Sequence, residues 1–386
     1  MNKRTLLLGM IIVLIFLGGM FTGIFYTNHT KDTHKIINSD PLQKSAVKPN
    51  TKDMPKVNPS QSKVLIGYVQ DFRDPNVVDY DKLTHVIFSF AHPTTDGGIL
   101  LNGDSALKNL RTIAATAKKH HTKVILGVGG WYHIKGGESY PYFKAAISKP
   151  DTRTKLVNEL VRFVDREHLD GVDIDFEHPH STADSEYLAA FVKELSDKLH
   201  PKQKELSVAV YAKIHAVTLT ETNFVNYDSS MFQHVDHVNI MAYDGQWDDG
   251  YHAENLSPYP YAEKIVNYWS RYFDENGISK EKLVLGVPFY AQPVNPNIKQ
   301  VSFDTIVKAN PANAEKDSVN LNGTTYYYNG DAMMVKKTKL AMDHGFGGMM
   351  LWEAGHDTKG PKSLTGAIYK TLADAQKGPV KYYSVK

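Results

Sequence analysis

The segment Asp170-Gly171-Val172-Asp173-Ile174-Asp175-Phe176-Glu177 concentrates residues that could do chemistry. An extended chain sends alternate side chains to opposite faces. Asp173, Asp175 and Glu177 therefore share one face, and Val172, Ile174 and Phe176 share the other. The apolar face can pack against helices while three carboxyl groups crowd together. Like charges this close oppose full ionisation, so at least one carboxyl is expected to keep a proton. A carboxyl with a raised pKa is what a general acid needs near neutral pH. Two other readings use the same residues. One is a metal-binding carboxylate cluster; the run starts like a calcium loop but lacks the glycine at the sixth position and the later glutamate. The other is a solvated acidic edge, and the strongly apolar alternate residues argue against it.

Such a strand needs a frame, and the surrounding sequence supplies a strand–helix rhythm. Short β-branched runs are expected as strands at Val64–Val69, His85–Phe90, Lys123–Val128, Gly171–Phe176, Leu206–Tyr211, Val235–Ala242, Leu283–Val287 and Gly348–Leu351. Amphipathic stretches separate them. Leu107, Leu110, Ile113, Ala114 and Ala117 recur at helical spacing, as do Leu156, Leu160, Val161 and Val164, and Leu188, Phe191, Val192 and Leu195. Alternation of this kind indicates a parallel sheet. Eight strands suit an α/β fold of the (β/α)8 TIM-barrel type, whose active site lies at the C-terminal strand ends. A doubly wound open sheet is the other option; it would normally carry a glycine-rich phosphate loop, and none is present. The run Gln292–Asn329 is long for a connection, and its Val319–Tyr328 part reads as a hairpin turning at Asn322-Gly323.

The bulk numbers are those of a globular chain. It has 386 residues, 42% of them hydrophobic and 22% charged. A net charge of +2 gives no reason to expect nucleic acid as a partner. The absence of cysteine removes disulfides, thiolate metal sites and a cysteine nucleophile. The 17 histidines show no metal-ligand spacing such as H-E-x-x-H, so no metal or cofactor is expected.

The first residues read as a membrane segment. Lys3 and Arg4 precede Thr5–Tyr26, a run of 22 residues without a charge. As a helix it would be about 33 Å long, enough to cross a hydrocarbon core of about 30 Å. No small-residue cleavage site follows, which favours an uncleaved anchor over a signal peptide. The basic flank predicts the remainder outside the cell, on the membrane face or secreted. Residues 28–62, rich in Asn, Thr, Lys, Ser, Asp and Pro, read as a disordered linker. The expected division is 1–27 anchor or signal, 28–62 linker, 63–375 barrel and 376–386 tail.

The acidic run on the fourth strand, D-x-x-D-x-D-x-E, resembles the signature of glycoside hydrolase family 18, the chitinase-like enzymes. Lys123–Trp131 (KVILGVGGW) is similar to the family's third-strand motif, Met241-Ala242-Tyr243-Asp244 to its sixth-strand motif, and Trp352 to its eighth-strand tryptophan. The likeness runs from about residue 63 to 375. It implies Glu177 as proton donor and no protein nucleophile, because the substrate's own N-acetyl oxygen attacks. It implies that Asp175 holds the acetamido N–H, that Tyr243 donates to the acetamido carbonyl, and that Asp173 shares a proton or hydrogen bond with Asp175. Asp244 and Met241 would orient the sugar, and Trp352 would stack on it. Trp131 and Trp247 follow strand ends, where a sugar contact and plain surface packing are both open. Tyr243 and Trp352 also have readings as barrel core. Asp170, on the other parity, and Trp269, in a helical stretch, are expected to be structural, and His178 to pack under Pro179. Gly127 stands where the family usually has serine. The stretch before the seventh helix is short beside the α+β insertion of the family's deep-cleft members, which implies a shallower cleft and internal cuts.

The resemblance implies a monomer that hydrolyses polymers of β-1,4-linked N-acetylglucosamine. The same catalytic residues would serve an endo-β-N-acetylglucosaminidase acting on N-glycans or peptidoglycan. An inactive carbohydrate-binding lectin is the reading outside enzymes, and the presence of Glu177 argues against it.

Overall fold

The computed structural model describes residues 63–377. The expected anchor and linker lie outside them, as do residues 378–386 of the expected tail. Among the described residues no helix is long and apolar enough to cross a membrane.

Eight parallel strands close on themselves. They are β1 (Val64–Gln70), β2 (His85–Pro93), β3 (Lys123–Gly129), β4 (Gly171–Asp175), β5 (Glu205–Tyr211), β6 (His237–Met241), β7 (Leu283–Pro288) and β8 (Gly348–Trp352). Each pairs with the next in sequence, and β8 pairs back onto β1 with Val64 opposite Gly348. All eight expected strands are present, shifted at their ends by at most three residues. The open-sheet option fails because both edges of the sheet are consumed by closure.

Helices α1 (Gly103–Lys119), α2 (Tyr140–Ser148), α3 (Pro150–Arg166), α4 (Thr182–Leu199), α5 (Tyr259–Glu275), α6 (Phe303–Ala309), α7 (Asp331–Asp343) and α8 (Leu364–Lys377) lie between and after the strands. Their buried faces are those the spacing indicates: Leu110, Ile113 and Ala117 on α1, Leu156, Leu160 and Val164 on α3, and Leu188, Phe191, Val192 and Leu195 on α4. Helix α8 reaches Lys377, two residues into the expected tail.

The connection after β7 is more than a hairpin. Ser318–Leu321 and Thr324–Tyr327 form the expected antiparallel pair, with Asn322 and Gly323 at φ values of 52° and 82°. Positive φ at both central residues is the geometry of a type I′ turn, which Asn-Gly adopts readily. Tyr290–Pro293 and Val301–Ser302 extend the pair into a four-stranded sheet that also carries α6. The extra pairing was not visible because Gln292 and Pro293 do not alternate apolar and polar residues.

Strand β4 is held tightly to its neighbours. Val172 and Ile174 are fully buried, and Phe176 stacks on Tyr140 with ring centroids 5.4 Å apart. Burial of such side chains stabilises by roughly 1.5–3 kcal/mol each. Asp170 Oδ2 accepts from the Val124 backbone N–H at 2.7 Å, the structural role expected of it. Gly171 sits so close to β5 that an added Cβ would lie 2.2 Å from the carbonyl oxygen of Glu205. Gly171→Ala should therefore lower stability by about 1–3 kcal/mol, the usual cost of overpacking. Urea denaturation checks this, with a lower midpoint expected at an unchanged slope.

Candidate active site

The carboxylate face of β4 points into the barrel, one strand end above another. Asp173 is fully buried at mid-depth and takes three side-chain hydrogen bonds. Tyr68 Oη on β1 donates to Oδ2 at 2.7 Å, while Ser207 Oγ on β5 and Asn239 Nδ2 on β6 donate to Oδ1 at 2.6 and 3.0 Å. Burial raises its pKa, and the three donors oppose that shift. Gly127 lies opposite Asp173 in the pairing of β3 with β4. A Cβ there would come within 2.9 Å of the Phe88 carbonyl oxygen, and Asp173 has its donors without a serine at that position.

Asp175 is also buried, and its Oδ1 has no hydrogen-bond partner. Burial, then the charges of Glu177 and Asp173, hold its pKa well above the usual range. The hydrogen bonds of Asp173 come from Tyr68, Ser207 and Asn239, and its charge acts on Asp175.

Glu177 ends the run at the mouth, with its side chain 16% exposed. Burial, reinforced by the charge of Asp244, pushes its pKa from 4.5 to about 8. His178 turns its Nε2 to within 3.6 Å of Glu177 Oε2 and packs edge-on against Tyr211 with centroids 5.0 Å apart. Burial pushes the His178 imidazole down to about 3, so it is neutral beside the acid. It thus borders the acid itself, beyond the packing role expected from sequence. The chain leaves this point through a capping box at α4. Ser181 Oγ accepts from the Asp184 N–H at 3.1 Å, and Asp184 Oδ2 accepts from the Ser181 N–H at 3.2 Å. Lys144 and the Tyr140 hydroxyl also bind Asp184, both at 2.8 Å, which fixes where the acid strand turns into its helix.

The remaining residues ring this line. The buried Tyr243 has only the thioether of Met350, 3.8 Å away, as partner for its hydroxyl, a weak acceptor. Asp244 follows at φ 63° and faces the open cleft; its Oδ1 accepts from Tyr290 Oη at 2.5 Å and Gln246 Nε2 at 3.0 Å. Met241 borders the lumen cluster of Tyr68, Tyr243, Tyr290 and Met350. Trp352 is partly exposed, stacked on Phe90 at 5.9 Å and tilted against Tyr68 at 5.5 Å, so it walls the lumen rather than filling it. Trp131 and Trp247, on loops after β3 and β6, are 50% and 61% exposed. Trp269 is buried in α5, as expected of a structural residue. Sequence reasoning missed Tyr68, Ser207, Asn239 and Tyr290. The first three were marked by polar groups at inward parity in otherwise apolar strands.

This arrangement decides the family. The profile described as Glycosyl hydrolases family 18 matches residues 64–357. The chain belongs to glycoside hydrolase family 18. It is a chitinase-like glycoside hydrolase by that membership. In solved structures it is similar to the family 18 chitinase from the chitin utilization locus of Flavobacterium johnsoniae, with a TM-score of 0.68 and 28% identity over 82% of this chain and 95% of that one. A chitinase from Bacteroides thetaiotaomicron gives a TM-score of 0.67 and 25% identity over 84% of this chain and all of that one. Among curated relatives, Chitinase 1 of Aphanocladium album is 25% identical over 79% of this chain and 82% of its own length. The chitinase-like effector of Moniliophthora roreri is 28% identical over 58% of this chain and 56% of its own. The chain spans only 11% of a Drosophila melanogaster relative named “Probable chitinase 10”.

The raised pKa of Glu177 has a stability consequence. The folded chain binds the proton more tightly than the unfolded chain, so this carboxyl opposes folding as pH rises from 4.5 toward about 8. Glu177→Gln should match wild type in stability at pH 4 and exceed it at pH 7 by up to about 3 kcal/mol. Urea unfolding of both proteins at the two pH values checks this.

Proposed function

We propose that the protein hydrolyses β-1,4-linked N-acetylglucosamine chains with retention of configuration, using the substrate's acetamido group as nucleophile. The observation that carries this reading is the pairing of Glu177, protonated up to about pH 8, with Asp175, whose buried Oδ1 has no partner. Glu177 gives its proton to the glycosidic oxygen as the bond to C1 breaks. The acetamido carbonyl oxygen closes on C1, forming an oxazolinium ring. Asp175 accepts a hydrogen bond from the acetamido N–H and balances the positive ring. The Tyr243 hydroxyl, held only by sulfur, turns to the acetamido carbonyl. Water then opens the ring and returns a proton to Glu177. Asp173, held by its three donors, stays in place, and the positive ring offsets the repulsion that its charge exerts on the ionised Asp175. Asp244 and Met241 border the bound sugar, Trp352 stacks on it, and Trp131 and Trp247 extend the contact along the cleft.

The chitinases of Flavobacterium johnsoniae and Aphanocladium album support chitin-like chains as substrate. We infer internal cleavage, with the exposed Trp131 and Trp247, on loops after β3 and β6, as surfaces for a long chain. We also infer that the anchor segment at Thr5–Tyr26 keeps the enzyme at the outer membrane face; protease treatment of intact cells should then degrade it.

The full chain and Glu177→Gln should be compared on N-acetylchitooligosaccharides and on a high-mannose glycopeptide, with products read by mass spectrometry. Wild type should cut the oligosaccharides and the variant should lose about 10²–10⁴-fold in kcat or more. Cleavage of the glycopeptide alone would keep the mechanism and move the substrate to glycoprotein glycans. Binding without cleavage by wild type would replace catalysis with a lectin role. The pH profile gives a second check. Because Glu177 must be protonated, kcat/KM should fall as pH passes about 8. Asp244→Asn removes one of the two causes of that shift, so the alkaline limb should move to lower pH.

A further inference from the structure

The lower end of the barrel, opposite the acidic mouth, carries a second cluster of chemically capable side chains. Inward parity on each strand runs through Ile87 and His85 on β2, Ile125 and Lys123 on β3, Asp173 and Gly171 on β4, Ser207 and Glu205 on β5, and Asn239 and His237 on β6. His85, Lys123, Glu205 and His237 therefore form the layer beneath Asp173 and its donors.

His85, Glu205 and His237 each offer one ligand atom, and these three atoms lie within 4.8 Å of one another. His85 Nε2 is 2.9 Å from Glu205 Oε2, and the two imidazole rings meet edge to face at 5.3 Å. The other nitrogen of His85, Nδ1, is 2.8 Å from Thr84 Oγ1, a hydroxyl that also bonds the Leu65 backbone. Metal-bound histidines are oriented in this way by a group on the second nitrogen. Lys123 makes an ion pair with the other oxygen of Glu205. That pair and His85 satisfy Glu205. They do not satisfy His237, whose Nδ1 is buried without a hydrogen-bond partner.

We propose that His85, Glu205 and His237 form a binding site for a divalent transition metal, with zinc the best match, that ties β2, β5 and β6 together at the barrel floor. Two imidazoles and a carboxylate with room for a water are a ligand set that zinc accepts. Tetrahedral coordination at about 2.1 Å would bring ligand atoms to about 3.4 Å from each other. The present spread requires movement of about 1 Å, which the partly exposed Glu205 and His237 can make. The exposed Lys123 must swing away from Glu205, so it competes with the metal. The site lies away from Glu177 and needs no part in hydrolysis.

The full chain, stripped with chelator, should be titrated with Co²⁺ and followed by visible absorption, then with Zn²⁺ by equilibrium dialysis and thermal unfolding. We expect the visible bands of four-coordinate cobalt, loss of those bands on adding zinc, and a rise of several degrees in Tm at zinc concentrations about a hundredfold above Kd. Glu205→Gln and His237→Ala should weaken binding at least tenfold. Lys123→Met, which keeps all three ligands, should tighten it, and this outcome does not depend on the fold tolerating loss of a ligand. An ion-pair floor only is the contrary result: no cobalt bands in wild type, or binding that Glu205→Gln, His237→Ala and Lys123→Met leave unchanged.

Discussion

Three carboxyl groups on one face of a single strand are the constraint around which the barrel is arranged. Together in a lumen they cannot all ionise, and the structure distributes the burden unequally. Asp173 receives three donors from three other strands. Asp175 receives none on its buried oxygen. Glu177, nearest the mouth, keeps a proton because burial and Asp244 both disfavour its charge. Burial raises the pKa of all three, and their different partners set how far each is held from ionising.

The rest of the fold makes this tolerable. The opposite face of β4 buries Val172, Ile174 and Phe176 against the helical layer, and the capping box at Ser181 and Asp184 fixes the exit of the strand. Closure of the sheet supplies Tyr68, Ser207 and Asn239 from strands distant in sequence, spaced around one carboxylate. A pair of neighbouring strands could not do so. Phe90 and Trp352 pack beside Tyr68 as an aromatic wall of the lumen.

The parity of the acidic strand was legible because alternation is a local property. The same holds for the eight strands and for the type I′ turn at Asn322-Gly323. The partners of Asp173 were less legible, since a lone tyrosine, serine or asparagine in an apolar strand becomes meaningful only once the strands are aligned. Those partners lie 34 to 105 residues away from Asp173 in the chain. The His85, Glu205 and His237 cluster has no sequence spacing at all. It exists only through the register of β2, β5 and β6, so a search for ligand motifs along the chain passes over it. The four-stranded sheet after β7 was half legible, because its hairpin is local and its other strands are not.

The account depends most on the proton that burial keeps on Glu177, and a direct titration tests it. The full chain can be labelled with ¹³C at glutamate side-chain carboxyls and the Glu177 resonance assigned by its loss in Glu177→Gln. The account predicts that this resonance stays at the protonated position through neutral pH and moves only near pH 8. Titration near the ordinary glutamate value of 4.5 would contradict it, since the strand would then offer no general acid at neutral pH.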